Sequence, residues 1–175
     1  LTKKGYQVFL DKHEIKQDER TIVVQPGSKD YYKYCATAKY WIVNSIMAEY
    51  VDKKPGQVYV QCWHGTPLKK LRYDIEVEGS ALNTIKEIKE KYEQDAKRYD
   101  YMLSPSKFCT EKFISAFNLE NIHKENIIIE EGYPRNDFLI NHTEQDVINL
   151  KKKMEIPENK KVILVTGASR GIGRN

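Results

Sequence analysis

The stretch Gln57-Val-Tyr-Val-Gln61-Cys-Trp63-His64-Gly-Thr66-Pro-Leu-Lys69-Lys70-Leu-Arg72 decides how this chain reads. Val58, Val60 and Cys62 alternate with Tyr59, Gln61 and Trp63, a period of two rich in β-branched and aromatic residues, which predicts a strand over 57–63. Gly65 and Pro67 break the pattern and leave His64 on a turn at the strand's carboxyl end, ahead of the cations Lys69, Lys70 and Arg72.

Working outward, further short apolar runs predict strands over 6–10, 21–24, 40–44, 101–103 and 127–129. Between several of them lie helical patterns. Over 83–99, Ile85, Ile88, Tyr92, Ala96 and Tyr99 recur at three and four, with Lys and Glu on the other face and a Glu87–Lys91 pair expected. A second helix is predicted from a Ser104 cap with Pro105 at its first position to about Phe117, and a third from Thr143, whose capping box closes on Asp146, to a stop before Pro157. Strands alternating with such helices predict an α/β domain with a mainly parallel sheet, and ligands of such sheets gather at the strands' carboxyl ends. The polar, proline-containing run that starts at Pro157 reads as a linker, followed by a strand over 162–165. This divides the chain into a domain over 1–156 and the opening of a second over 157–175.

Composition narrows the function classes. Hydrophobic residues make up 40% and charged residues 31%, with a net charge of +4 spread among interspersed lysines and glutamates. That balance fits a globular chain with a mild preference for anionic partners and does not argue for nucleic acid. No apolar run approaches the roughly 20 residues of a membrane-crossing helix. Cys35, Cys62 and Cys109 are scattered and odd in number, which predicts buried thiols in a reducing compartment. No His, Cys or carboxylate cluster has metal-ligand spacing, and neither a protein-held metal nor a cofactor is expected. The opening Leu1-Thr-Lys-Lys shows neither an initiator Met nor a signal-peptide pattern, so the chain is expected to begin inside a longer protein.

Transfer of a phosphoryl group to a hydroxyl needs a base at the incoming oxygen and positive charge around the phosphates. His64 with Lys69, Lys70 and Arg72 supplies both types of group, and histidine as a residue type can accept a proton near neutral pH. Taken alone, the same residue also fits a structural histidine bonding its own loop. His13, His123 and His142 lie in polar segments and read as surface residues.

Four words settle the comparison in order and spacing: Ala36-Thr-Ala-Lys39-Tyr-Trp41-Ile-Val-Asn44-Ser45, Trp63 to Lys69, Ser104-Pro105-Ser106, and Gly132-Tyr-Pro-Arg135-Asn136-Asp137. Over roughly residues 20–140 the chain resembles the amino-terminal half of the CDP-glycerol glycerophosphotransferases, the teichoic acid primases and polymerases. The resemblance implies a Rossmann-like amino-terminal domain of a glycosyltransferase-B type fold in an enzyme docked peripherally on the cytoplasmic face of the bacterial membrane. Its partners would be CDP-glycerol and a lipid-linked acceptor, with CMP as the leaving product. The resemblance makes His64 the base on the acceptor hydroxyl and puts Gly65 and Thr66 near the transferred phosphate. Lys69, Lys70 and Arg72 would offset charge, Asn44 and Ser45 would line the cleft from the neighbouring strand, and Arg135 would bind a phosphate. For Ser104, Ser106 and Asn136, capping and ligand contact are equally open. A non-catalytic module that binds an anionic polymer or membrane through Lys69, Lys70 and Arg72 is the alternative.

The tail departs from that pattern. Thr166-Gly167-Ala-Ser-Arg-Gly171-Ile-Gly173 resembles the cofactor loop of short-chain dehydrogenases, where such glycines let a dinucleotide approach the backbone. A complete site of that kind also needs the helix after the loop, a ribose-reading residue and the remaining strands, which this sequence does not carry, so NAD(P) binding at Gly167, Gly171 and Gly173 is the minor reading. The donor half, with its own histidine and serine-rich phosphate contacts, is expected to lie beyond this chain.

Overall fold

The computed structural model of the chain describes residues 20–76 and 84–163, together with the backbone of strand β1 (Val8–Leu10). Two compact units divide at Tyr133 and Pro134.

In the first unit, β1 pairs in parallel with β2 (Thr21–Val23). A second, four-stranded sheet runs β3 (Tyr40–Val43), β4 (Val58–Gln61), β5 (Tyr101–Leu103), β6 (Ile128–Ile129) in sequence order, with every pairing parallel. The fold class is thus the α/β arrangement with a mainly parallel sheet expected from the sequence. Registers Trp41↔Tyr59 and Gln61↔Met102 place those four residues on one face of the sheet, where all are buried. Tyr40, Ile42 and Tyr101 fall on the opposite parity and stay exposed, as the two-residue period of a strand requires.

Helix α2 (Ile85–Ala96) and helix α3 (Lys107–Ala116) connect the last three strands. The core they share with the sheet is aromatic: Trp41, Tyr59, Trp63, Tyr99, Phe113 and Phe117 meet mostly edge to face, with centroids 4.9–6.4 Å apart. Such pairs add about 0.5–1.5 kcal/mol each beyond their burial.

Several local expectations change. Helix α1 (Lys29–Thr37) has no counterpart in the sequence reading, because none of its residues is fully buried and its half-buried face, Tyr31, Tyr34 and Cys35, is too short to stand out as an apolar stripe. Its signal was Pro26-Gly27-Ser28, a turn that ends in a cap: Ser28 Oγ accepts from the Tyr31 amide at 3.1 Å. The cap of α3 is Ser106, not Ser104, since the Ser104 hydroxyl is buried and committed to the Ser106 carbonyl at 3.0 Å and to Thr110 Oγ1 at 2.8 Å. The Glu87–Lys91 pair is replaced by two other contacts. Glu87 closes a capping box with Thr84 and Lys91 reaches Glu49 at 3.7 Å, because backbone amides at a helix start hold a carboxylate better than an exposed lysine does. Cys109 is buried as expected, whereas Cys35 and Cys62 are only half-buried.

The second unit holds the turn Pro134–Asn136, a short helix α4 (Asp137–Asn141) and α5 (Glu144–Lys153). The Thr143–Asp146 capping box is present as read, and Lys151, Lys152 and Lys153 occupy the last turn, where cations favour the helix dipole. Val162 and Ile163 are exposed and outside any strand. Residues 164 and 165 of the expected strand and Gly167, Gly171 and Gly173 lie outside the described residues, as do His13 and Asn83.

Candidate functional site

Strand β4 ends at Gln61, two residues earlier than expected, because Trp63 takes a left-handed backbone (φ 49°) that no strand can continue. A bulky residue there costs about 1–3 kcal/mol unless its surroundings impose it. They do: Gln61 Oε1 accepts the Trp63 amide at 2.8 Å, and the Trp63 ring is buried against Phe113 and Phe117. The turn so formed presents His64 to solvent, with its ring 3.9 Å from that of Trp63 between centroids.

Gln61 has no exposed surface and joins two loops. Its Nε2 donates to the Ser45 carbonyl at 3.0 Å, so the segment after β3 is tied to the turn after β4. The same amide reaches Tyr99 Oη at 3.3 Å, and Tyr99 in turn donates to Asp95 Oδ2 at 2.5 Å. Burial, followed by the Asp95 carboxylate, pushes the Tyr99 hydroxyl well above its ordinary range, which keeps it a proton donor. Arg98 completes the network by pairing with Asp95 and donating to the carbonyls of Met47, Ala48 and Val51. Asn44 and Ser45 are exposed at the end of β3, adjacent to the His64 turn as anticipated. The sequence reading missed Gln61, Asp95, Arg98 and Tyr99 as supports; the available signal was a glutamine in the row of alternation shared by Tyr59 and Trp63.

The basic run divides. Lys69 is exposed, and Lys70 forms an ion pair with Glu76 that holds the Glu76 carboxyl below the usual range. A groove of about 380 Å³ runs between this segment and α3, bounded by Leu68, Lys69, Lys70, Asp74, Phe108 and Lys112. Arg72 corrects the expectation of a third surface cation. It is 4% exposed, its guanidinium lying over the rings of Tyr92 (4.1 Å), Phe117 (4.2 Å) and Trp63 (4.7 Å). Its left-handed backbone (φ 48°) turns the chain inward, which is why the side chain reaches the core instead of the groove. Three aromatic faces stabilise a desolvated cation by about 2 kcal/mol or more. Against this, Nε and Nη1 have no hydrogen-bond partner among the described residues, and each such orphan costs about 1–3 kcal/mol.

Gly65 is half-buried and Thr66 exposed. Among the described residues a Cβ on Gly65 would meet nothing within 4 Å, and its φ is not in the left-handed region, so no steric demand from them calls for glycine there. Ser104 and Ser106 serve the fold as described, Asn136 occupies the cap position of α4, and Arg135 falls in the second unit. His123 and His142 are exposed. Among the described residues no group of three His, Cys, Asp or Glu could hold a metal ion, and no helix is long and apolar enough to cross a membrane.

A parallel α/β domain with an exposed histidine on the turn after one strand, beside the loop of the neighbouring strand, fits the Rossmann-like half expected of a glycosyltransferase-B type transferase. Residues 2–174 match the family of CDP-Glycerol:Poly(glycerophosphate) glycerophosphotransferases, and the chain belongs to that family. It is 41% identical over 130 residues to the teichoic acid poly(glycerol phosphate) polymerase of Bacillus subtilis, covering 74% of this chain and 17% of the relative. With the teichoic acid glycerol-phosphate transferase of Staphylococcus aureus it shares 33% identity over 166 residues, 93% of this chain and 40% of the relative. A solved structure of the wall teichoic acid polymerase TagF superposes with a TM-score of 0.78 at 32% identity, over 89% of this chain and 39% of that one. The chain therefore spans less than half the length of these relatives.

Proposed function

We propose that this chain is the acceptor-side half of an enzyme that transfers glycerol phosphate from CDP-glycerol to the terminal hydroxyl of a lipid-linked polyol-phosphate acceptor in teichoic acid synthesis. The observation that carries this reading is His64, held out to solvent by an imposed left-handed turn at the carboxyl end of β4. Support comes from the family and from its relatives: a His-to-Asn variant of TagF has been soaked with CDPG.

In this mechanism the acceptor oxygen attacks the phosphorus that bears glycerol while an imidazole nitrogen of His64 takes the hydroxyl proton. The bond from that phosphorus to the oxygen bridging to the cytidylate breaks, and CMP leaves with the electron pair. Gly65 and Thr66 lie against the transferred phosphate, and Lys69 offsets its developing charge. Asn44 and Ser45 line the cleft from β3, and Arg135 contacts a phosphate. The acceptor-side domain runs over 1–156, residues 157–175 open an incomplete second domain, and the enzyme works docked on the cytoplasmic face of the membrane. The non-catalytic alternative is weakened by two observations: Lys70 is paired and Arg72 is buried.

CMP release from CDP-glycerol tests the proposal directly. The complete protein containing this chain should release CMP in proportion to added acceptor, and the isolated 175-residue chain should release none, because it lacks most of the length of its active relatives. Acceptor-independent or absent release by the complete protein would refute the transfer reaction.

A more local test uses Gly65. Gly65→Ala meets no atom of the described residues within 4 Å, so its melting temperature should stay within about 2 °C of the parent. Turnover should nevertheless fall by at least roughly tenfold if a phosphate approaches that backbone. Unchanged turnover would remove Gly65 from the site.

A further inference from the structure

We propose that Arg72 is a positioning residue for His64, acting through the ring of Trp63; the functional half of this claim rests on His64 being the base. A fold that needed only volume at Arg72 would be served as well by an apolar side chain, since a buried charge is seldom the most stable filling of a core. Here the guanidinium is retained at 4% exposure although Nε and Nη1 find no partner among the described residues.

What the charge does is visible in its contacts. It lies over Tyr92 of α2 and Phe117, the residue after α3, and over Trp63 at the end of the His64 turn. One planar cation therefore fixes the Trp63 plane to two helices. The imidazole of His64 rests against that same plane, with centroids 3.9 Å apart and planes 30° apart, so its orientation follows the indole. Both ends of the segment from Trp63 to Arg72 are left-handed at non-glycine residues, φ 49° and φ 48°. Strain of that kind persists where the surroundings over-determine it and gathers at sites that must hold one geometry. The buried cation supplies the over-determination, and the exposed imidazole inherits the geometry.

The chain holds four histidines, so histidine-selective ring-proton NMR reads the His64 environment, with the His64→Ala spectrum identifying its signals. In the parent the Trp63 ring current should shift them away from the other three. Arg72→Met should bring them back by more than half, and Arg72→Lys, which keeps a cation over the rings but loses its plane, should lie between. Should Arg72→Met fail to fold, Tyr92→Leu removes one wall of the cage and should move the same signals. Unmoved His64 signals in a folded Arg72→Met chain, or in Tyr92→Leu where Arg72→Met does not fold, overturn the proposal. In the complete protein, Arg72→Met should lower kcat roughly 10- to 100-fold with KM little changed. If the ring moves and kcat does not, positioning stands and the assignment of His64 as base is what fails.

Discussion

His64→Ala in the complete transferase should lower the rate of CMP release by about 10²- to 10⁴-fold, the span over which a positioned general base contributes. The loss should appear in kcat, because proton removal from the acceptor hydroxyl strengthens only as the new bond to phosphorus forms. Acceptor affinity should be retained, since His64 is one exposed side chain among the loops that face the cleft. Stability should change little. The substitution removes the stacked contact with Trp63, an aromatic pair of about 0.5–1.5 kcal/mol, and the resulting fall in melting temperature is about 1–6 °C. The pair of measurements separates chemistry from folding. Turnover within twofold of the parent would exclude His64 as the base and return the structural reading of this histidine to first place.

The sequence carried the sheet and the site turn further than it carried their supports. Period-two alternation placed β3, β4 and β5 to within two residues, since a strand buried on one face must alternate whatever its neighbours are. Gly65 and Pro67 marked the turn that exposes His64. Two things stayed hidden for physical reasons. Helix α1 buries no residue fully and offers only the short face Tyr31, Tyr34 and Cys35, so its apolar period is faint and its Ser28 cap is the clearer sign. Arg72 sits in a run of cations that reads as surface charge, and nothing in Lys69-Lys70-Leu71-Arg72 announces that a left-handed residue will turn the last side chain inward between three rings. Its partners Tyr92 and Phe117 are 20 and 45 residues away in the sequence, beyond the reach of any local pattern. The Gln61–Tyr99–Asp95–Arg98 network is hidden in the same way, because each member is an ordinary polar residue until the sheet and α2 are packed.

That network makes Gln61→Leu the most informative change in the core. Leucine nearly matches glutamine in volume, so no cavity opens and the whole effect falls on hydrogen bonds. The Trp63 amide loses the acceptor at 2.8 Å, the Ser45 carbonyl loses the donor at 3.0 Å, and Tyr99 Oη loses a third contact at 3.3 Å. Three lost contacts at about 1–3 kcal/mol each, less about 1–2 kcal/mol returned by a buried leucine, span roughly 1–8 kcal/mol. The net loss falls toward the low end, about 2–4 kcal/mol, because Ser45 is exposed and Tyr99 Oη keeps Asp95. For a chain of this length the melting temperature should fall by about 5–15 °C. Leu119→Ala should destabilise by a similar amount, about 2–5 kcal/mol, through a cavity in the same core with no bond to the Trp63 turn. The two variants should part company in turnover measured well below both melting points. Leu119→Ala should keep it, whereas Gln61→Leu should lose at least roughly tenfold, because the left-handed Trp63 relaxes and the loop after β3 is no longer tied to it. Equal turnover in the two variants at equal destabilisation would mean that Gln61 serves only the core. Unequal turnover would locate the rigidity of the His64 turn in one buried amide.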